Sequence, residues 1–439
     1  MKTPILAAAA IAALAGFAQP AFAAAASPGL PGRTSEAVPS AAANPLDAFY
    51  AARGNAPLWL ANGRATAAAM QLLEVLDRAP LDGLANGPEL AACARALIAR
   101  SAAGDANAAR SADRLLSGAL VLYVQAVQTP PPGMTYGDSW VAPRQSSPAQ
   151  ILASAQSAPH AYVAKVSAVN PVYARLRDAA FRTMQLTGAP ADQRVVTSLA
   201  RIRATPFQKR YIIVDTASAT LWMVEDGRIA GEMKVIVGKA ATQTPMVAST
   251  IYRATLNPYW NVPGDMVKSL IAPRVAEQGI KYLADHQYDV LSDYGTDPTP
   301  VDPKSVDWAA VAAGSTLVKL RQRPGPANSM GLVKFGFPNA NDIFLHDTPN
   351  KDLFAKDGRG LSNGCIRLSD APRLARWLLA GQDLASLAGD APEQHVLLPT
   401  PVPIFVTYLT AQASGGQLTF VDDIYGRDQS GSAAVASLR

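Results

Sequence analysis

At 439 residues the chain has room for two or three domains and at least one sizeable core, which excludes a single small module. The net charge of +5 is spread along the sequence, and no interleaving of aromatic and basic residues marks a nucleic-acid surface. A mildly basic exported chain suits an anionic polymer such as a cell wall, although solvated surface accounts for most of these charges.

The first 23 residues carry Lys2, an apolar run from Ile5 to Phe17 and the small-x-small ending Ala21-Phe22-Ala23. This is the pattern of a secretory signal peptide, and it predicts export to the periplasm with cleavage near Ala23. The apolar run is shorter than the roughly 18 to 20 residues of a membrane span, and no later segment compensates, so no span is expected in the mature chain. Residues 24–44 hold Ala, Ser, Pro and Gly without apolar periodicity and read as a disordered linker.

From Pro45 to Arg203 apolar residues recur at helical spacing, as in Ala69, Leu72, Leu73 and Leu76 and again in Leu115, Leu116, Ala119, Leu120 and Tyr123. Residues 45–203 are therefore expected as a helical scaffold, interrupted by a loop at Thr129–Trp140, where three consecutive prolines cannot continue a helix. The pattern changes at Lys209. Tyr211–Val214 and Thr220–Val224 are β-type runs, and Asp226-Gly227 leads into Ile229–Val237 as a hairpin. Further short runs at Thr250–Leu256, Gly331–Phe337, Ile343–Leu345 and Val402–Leu409 make 205–409 a mainly β domain. Residues 265–328 interrupt it with a helical piece and a Pro- and Asp-rich loop, a long excursion of the kind that forms lids. Residues 410–439 read as a Ser-, Gly- and Ala-rich tail with room for one short strand at Leu418–Val421. The fold class is α+β, helices first and sheet second.

Two cysteines occur, in unlike surroundings. Cys93 lies in LAACARALIAR, a helical pattern where a small buried hydrophobe is the ordinary role. Cys365 lies in SNGCIR, a glycine-containing loop. A disulfide between them is arithmetically open, but it would join a helix to a loop that has the parts of a nucleophile site. His346 stands 19 residues upstream at the end of a strand, Gly364 permits close backbone approach, and the amides of Gly364 and Cys365 offer an oxyanion hole. Ser369-Asp370 looks like a helix start with Asp as cap. A thiol becomes a nucleophile only as thiolate, so it needs a nearby imidazole. On this pattern alone a structural thiol remains the readier account of Cys365. A metal centre is not expected: His160, His286 and His395 lie far apart, and no His or Cys pair has zinc-ligand spacing.

HDTPNKDLF followed by SNGCIRL resembles the active-site signature of the L,D-transpeptidases, the YkuD-type catalytic domain. NPYWNVP (257–263), RQRPGPANSMGLVKFGFPN (321–339) and YLADHQYDVLSD resemble the long, lid-bearing, YcbB-like Gram-negative branch of that family. FYAARGNAPLWL (49–60) is similar to the start of its scaffold domain, and VTYLTA and VDDIYGRD also match.

This resemblance implies Cys365 as the acylated nucleophile, His346 as the base, the main-chain carbonyl of Asp347 as the group holding the imidazole tautomer, and Gly364 beside the nucleophile. It implies substrate contacts from Arg367, Trp260, Tyr259, Ser362 and Asn363, the last standing where many relatives have His or Ser. Arg367 has structural pairing as an equal alternative. The peptidoglycan-binding module usual in that branch has no counterpart between Leu186 and Arg203. The implied reaction joins peptidoglycan stem peptides through a cysteine thioester, without a cofactor. The product is a 3→3 diaminopimelate link, with a 1→3 link from the L-alanine end open. Wall-synthesis proteins are expected partners, and carbapenems are expected to acylate the thiol. The rival readings are an L,D-carboxypeptidase or endopeptidase using water as acceptor, and a non-catalytic wall-binding protein.

Overall fold

The computed structural model describes residues 44–203, 208–295 and 297–428. The expected signal peptide, residues 24–43 of the expected linker, and residues 429–439 of the tail lie outside them. The described chain divides into two compact units, one of residues 44–131, 143–203 and 413–419, the other of residues 132–142, 208–412 and 420–428.

The first unit is helical, with helices at Pro45–Ala52, Ala67–Arg78, Gly87–Ala102, Ala106–Val127, Pro148–Ser157, Pro159–Ala168, Pro171–Thr187 and Gln193–Ile202. Several of their starts are set by side chains that accept otherwise unpaired amides: Thr66 accepts from Ala69, and Ser147 and Gln150 form a reciprocal capping box. The periodic residues Leu72, Leu73, Leu76, Leu116, Leu120 and Tyr123 are buried, as their spacing requires. Cys93 is half-buried on Gly87–Ala102, and both cysteines are free thiols.

The Thr129–Trp140 stretch is a loop in part only. Thr135–Tyr136 forms a strand that pairs in parallel with Val247–Leu256 and belongs to the second unit, so the helical region is not continuous over 45–203. Prolines 130–132 stop the preceding helix but leave the chain extended enough to join a sheet edge.

In the second unit, Arg210–Asp215, Thr220–Glu225 and Arg228–Gly238 form an antiparallel meander. Its second turn is Asp226-Gly227, both at positive φ (46° and 74°), the turn that matches strand twist. Val333–Gly336 pairs with Phe344–His346 on one side and Val247–Leu256 on the other, which closes the sheet on itself. The 14-residue strand Gln394–Thr407 begins eight residues before the apolar run that announced it, because its first half reads QHVLLPTP and is mostly not buried. Alternation then sorts side chains by face. Phe335, Leu345, Ile366, Leu368, Val235, Val237, Ala254 and Leu256 enter one apolar core, together with Ala371, Leu374, Ala375 and Leu378 of helix Ala371–Leu378.

The 265–328 insertion is more ordered than a helix and a loop. Trp260–Asn261, Tyr288–Leu291 and Lys319–Gln322 form a three-stranded antiparallel sheet, packed with nearby helices around Val262, Val267, Ile271, Val290, Val311 and Leu320. The strands are short and far apart in sequence, which hid their period. The base of the insertion is tied at Asn328, whose fully buried amide donates to the carbonyls of Pro258, Gln322 and Arg323, while its Oδ1 accepts from Met330 N.

Residues 411–428 are more ordered than a tail with one short strand near Leu418. Ala411–Ser414 and Gln417–Phe420 form a hairpin, and the chain returns to bury Tyr425, stacked on Tyr408 with ring centroids 5.2 Å apart. Two aromatic residues 17 positions apart do this, too sparse a signal to read as an element.

Asn328→Ala removes the tie at the base of the insertion at a local cost of roughly 2 to 3 kcal/mol. Faster amide hydrogen exchange across 260–322, with the main sheet unchanged, is the expected result. Unaltered protection there would show that Asn328 does not hold the insertion.

Candidate active site

The site follows from strand register. His346 is paired with Lys334 on one neighbouring strand and with Arg367 on the other, and Lys334 is paired in turn with Thr255, itself opposite His395. Residues directly opposite in a sheet share a face, so His395, Thr255, Lys334, His346 and Arg367 form one row on the face away from the apolar core. Cys365 precedes Arg367 by two residues, in the bend that leads into that strand, and the Phe344 main-chain N–H of the neighbouring strand reaches its thiol. Phe344 shares the face as well, its ring edge-on to the imidazole at 5.6 Å and under the Lys334 ammonium at 5.0 Å.

His346 is buried, and its Nδ1 lies 2.6 Å from the main-chain oxygen of Asp347. A carbonyl only accepts, so Nδ1 carries the proton and Nε2 presents its lone pair. The Asp347 carboxylate is occupied elsewhere: Lys351 Nζ donates to Oδ1 at 2.6 Å and Leu332 N to Oδ2 at 2.9 Å. Asp347 thus offers the imidazole a main-chain atom while its side chain anchors the segment.

The nucleophile turn is braced internally. Ser362 Oγ donates to the Cys365 carbonyl at 2.6 Å and accepts from Gly364 N at 3.1 Å. This changes two expectations. Ser362 is buried and holds the turn, so it is not placed to contact substrate. The Gly364 amide is engaged by Ser362 Oγ, so of the two amides expected at an oxyanion hole only that of Cys365 remains a candidate. Gly364 has φ +118°, and a Cβ there would meet Ile343 Cδ1 at 3.1 Å, so the position is closed to other residues. Helix Ala371–Leu378 begins directly after, capped by Asp370, whose side chain accepts from Arg373 N.

The half-buried Cys365 thiol faces the Asp342 carbonyl at 3.9 Å. Burial pushes it up to about 11, opposed by the Phe344 main-chain N–H and the Lys334 and Arg367 charges. Burial, then the Arg367 charge, drives His346 down to about 3. Both groups are therefore neutral at rest, the arrangement of general-base activation and not of a preformed ion pair.

Arg367 is half-buried, and among the described residues no carboxylate pairs with it or with Lys334. Asn363 is exposed on the turn. Tyr259 and Trp260 make their contacts at the insertion: Arg321 lies over the Tyr259 ring at 4.2 Å, and Trp260 packs on the insertion core with Tyr288 6.3 Å away. Sequence reading missed Thr244, whose Oγ1 donates to the Gly364 carbonyl at 2.7 Å, and the Tyr425 hydroxyl beside it. Tyr425 lies in the VDDIYGRD stretch that carries part of the resemblance, but its role, like that of Thr244, is visible only through long-range contact. Among the described residues no cluster of His, Cys, Asp and Glu is arranged to hold a metal ion, and no helix is long and apolar enough to cross a membrane.

Residues 209–404 match the family model of the YkuD L,D-transpeptidase catalytic domain, and residues 44–179 match that of a Scaffold domain. A Haemophilus influenzae protein named "Putative L,D-transpeptidase" is 31% identical over 242 residues, 54% of this chain and 48% of that protein. The chain thus spans about half the length of the curated relative it matches. Among solved structures, an L,D-transpeptidase from Mycobacterium smegmatis is similar at 14% identity over 45% of this chain and 58% of that one, with a TM-score of 0.22. The catalytic domain of an Enterococcus faecium L,D-transpeptidase acylated by ertapenem is similar at 14% identity over 46% of this chain and 99% of that one, with a TM-score of 0.21. At those TM-scores the likeness places no residue.

A neutral thiol beside a neutral imidazole predicts that the rate of Cys365 alkylation by iodoacetamide climbs roughly tenfold per pH unit between pH 6 and 9, because only the thiolate reacts. A plateau through neutral pH would mean that the proton already rests on His346.

Proposed function

We propose that this chain, whose residues 209–404 match the YkuD L,D-transpeptidase catalytic domain and whose residues 44–179 match a Scaffold domain, is an exported acyltransferase that cross-links peptidoglycan stem peptides. The observation that carries this reading is the tautomer of His346: the Asp347 carbonyl holds the proton on Nδ1, which leaves the Nε2 lone pair to act as the base, and the register partner of His346 is Arg367, two residues after Cys365.

In the proposed reaction the Cys365 proton passes to His346 Nε2 as sulfur attacks the carbonyl of the L-centre of diaminopimelate, next to a terminal D-alanine. The tetrahedral oxyanion is met by the Cys365 main-chain N–H. Collapse breaks the C–N bond, and the D-alanine amine leaves with the proton from Nε2. The thioester is resolved by the side-chain amine of a second stem peptide: Nε2 takes the proton of the attacking amine, the new amide forms, and the departing sulfur recovers that proton. The product is a 3→3 link. Arg367 and Lys334, which no carboxylate among the described residues pairs with, are suited to the carboxylates of the stem. The insertion serves as the lid that presents the acceptor. The same acylation chemistry would make carbapenems inhibitors, and the leader-like pattern at 1–23 supports a periplasmic enzyme that works with wall-synthesis proteins.

Purified mature protein incubated with tetrapeptide muropeptides should yield dimers, read by mass spectrometry. Dimers joined from L-alanine would revise the donor position to a 1→3 link, and loss of D-alanine without dimers would replace transfer by hydrolysis. Cys365→Ala should remain folded and form neither thioester nor dimer, while His346→Ala should lose about 10²- to 10⁴-fold in acylation rate. Equal cross-linking by Cys365→Ala would defeat the proposal.

A further inference from the structure

We propose that Thr244, clamped by Tyr425 of the C-terminal segment, is the positioning residue that aims the Cys365 main-chain N–H at the oxyanion of the acyl-transfer step. This rests on the acyl-transfer reading above and concerns residues outside its signature.

The direction of each hydrogen bond is fixed by chemistry. The main-chain N–H of Gly238 can only donate, and it does so to Thr244 Oγ1 at 2.9 Å. The hydroxyl proton of Thr244 is therefore free to point at the Gly364 carbonyl, 2.7 Å away. Gly364 C=O and Cys365 N–H belong to one peptide unit. Among the described residues no peptide bond is cis, so the two groups point in opposite directions. Fixing the carbonyl toward Thr244 turns the Cys365 N–H away from it.

A restraint of this kind is needed. Gly364 sits at φ +118°, where its own conformational preference does little to hold the following peptide, and the Ser362 hydroxyl holds only the Gly364 amide on the other side. Thr244 is itself held from the far end of the chain. Tyr425 Oη donates to Gly238 O at 2.5 Å and accepts from Thr244 N at 3.4 Å, and Arg427 donates to Thr244 O at 2.9 Å. Residues 238–244 are thus locked between the Tyr425 phenol and the nucleophile turn, and the lock ends on the peptide plane that carries the oxyanion donor.

The test separates two reactions of one sulfur. Acylation by ertapenem passes through a tetrahedral oxyanion, whereas alkylation by iodoacetamide displaces iodide at a saturated carbon and forms none. Both are followed by intact mass in the full-length mature protein. Thr244→Val should slow acylation tenfold or more, part of the roughly 10²- to 10³-fold that a whole oxyanion donor carries, while alkylation keeps its rate. Thr244→Ser, which retains the hydroxyl, should restore acylation, and Tyr425→Phe should slow it by a smaller factor. Acylation of Thr244→Val at the parental rate would overturn the proposal, as would equal loss of both reactions, which would mark a turn that has collapsed. Failure of the parental protein to be acylated at all would instead sink the acyl-transfer reading on which it rests.

Discussion

The hydrogen bond from His346 Nδ1 to the Asp347 carbonyl is the constraint on which the chemistry depends. A buried imidazole with no such partner could hold its proton on either nitrogen. Here the main chain of the very next residue decides, so the tautomer is set by backbone conformation and not by a third ionisable side chain. The Asp347 carboxylate is free for a different task, and with Lys351 and Leu332 N it pins the segment whose carbonyl does the orienting. A local bond of this type costs little conformational entropy, because both partners are already placed by the same strand end.

In the proposed reaction, charge appears in the site only when substrate is attacked. Burial holds the thiol protonated and the imidazole neutral, which avoids a standing ion pair in a poorly solvated place. Lys334 and Arg367 lie in the same row as His346 and bear on the thiol from both flanks. Their fields favour the thiolate and disfavour an imidazolium. The nucleophile turn adds donors on a rigid frame: Ser362 and Thr244 satisfy the groups that face inward, and the Cys365 amide is the one left to act outward.

The insertion and the C-terminal segment are joined to this frame by different means. The insertion has its own small sheet and apolar core, tied at its base by Asn328, so it can keep its internal shape irrespective of the site. The C-terminal segment instead joins a smaller apolar cluster, where Tyr425 packs with Met246 and Tyr408. It is held through Tyr425, Tyr408 and Arg427, and its hydrogen bonds run into residues 238–244 beside the nucleophile. One element is therefore suited to shaping access and the other to fixing geometry.

What the sequence by itself determined was everything carried by short period and local chemistry. The helical stripe at Leu72–Leu76 and Leu115–Tyr123, the Asp226-Gly227 hairpin, the Asp370 cap and the SNGC turn were all legible, since each depends on residues within a few positions of one another. Tertiary structure alone decided which side chains meet. The closure of the sheet put Lys334 and Arg367 on either side of His346, turned Ser362 from a substrate contact into a brace, took the Gly364 amide out of the oxyanion hole, and drew Tyr425 back against Gly238. These outcomes depend on register between strands distant in sequence, and a shift of one residue would send every one of those side chains to the opposite face. No local pattern records that choice; it is made by the common apolar core that all the strands must share.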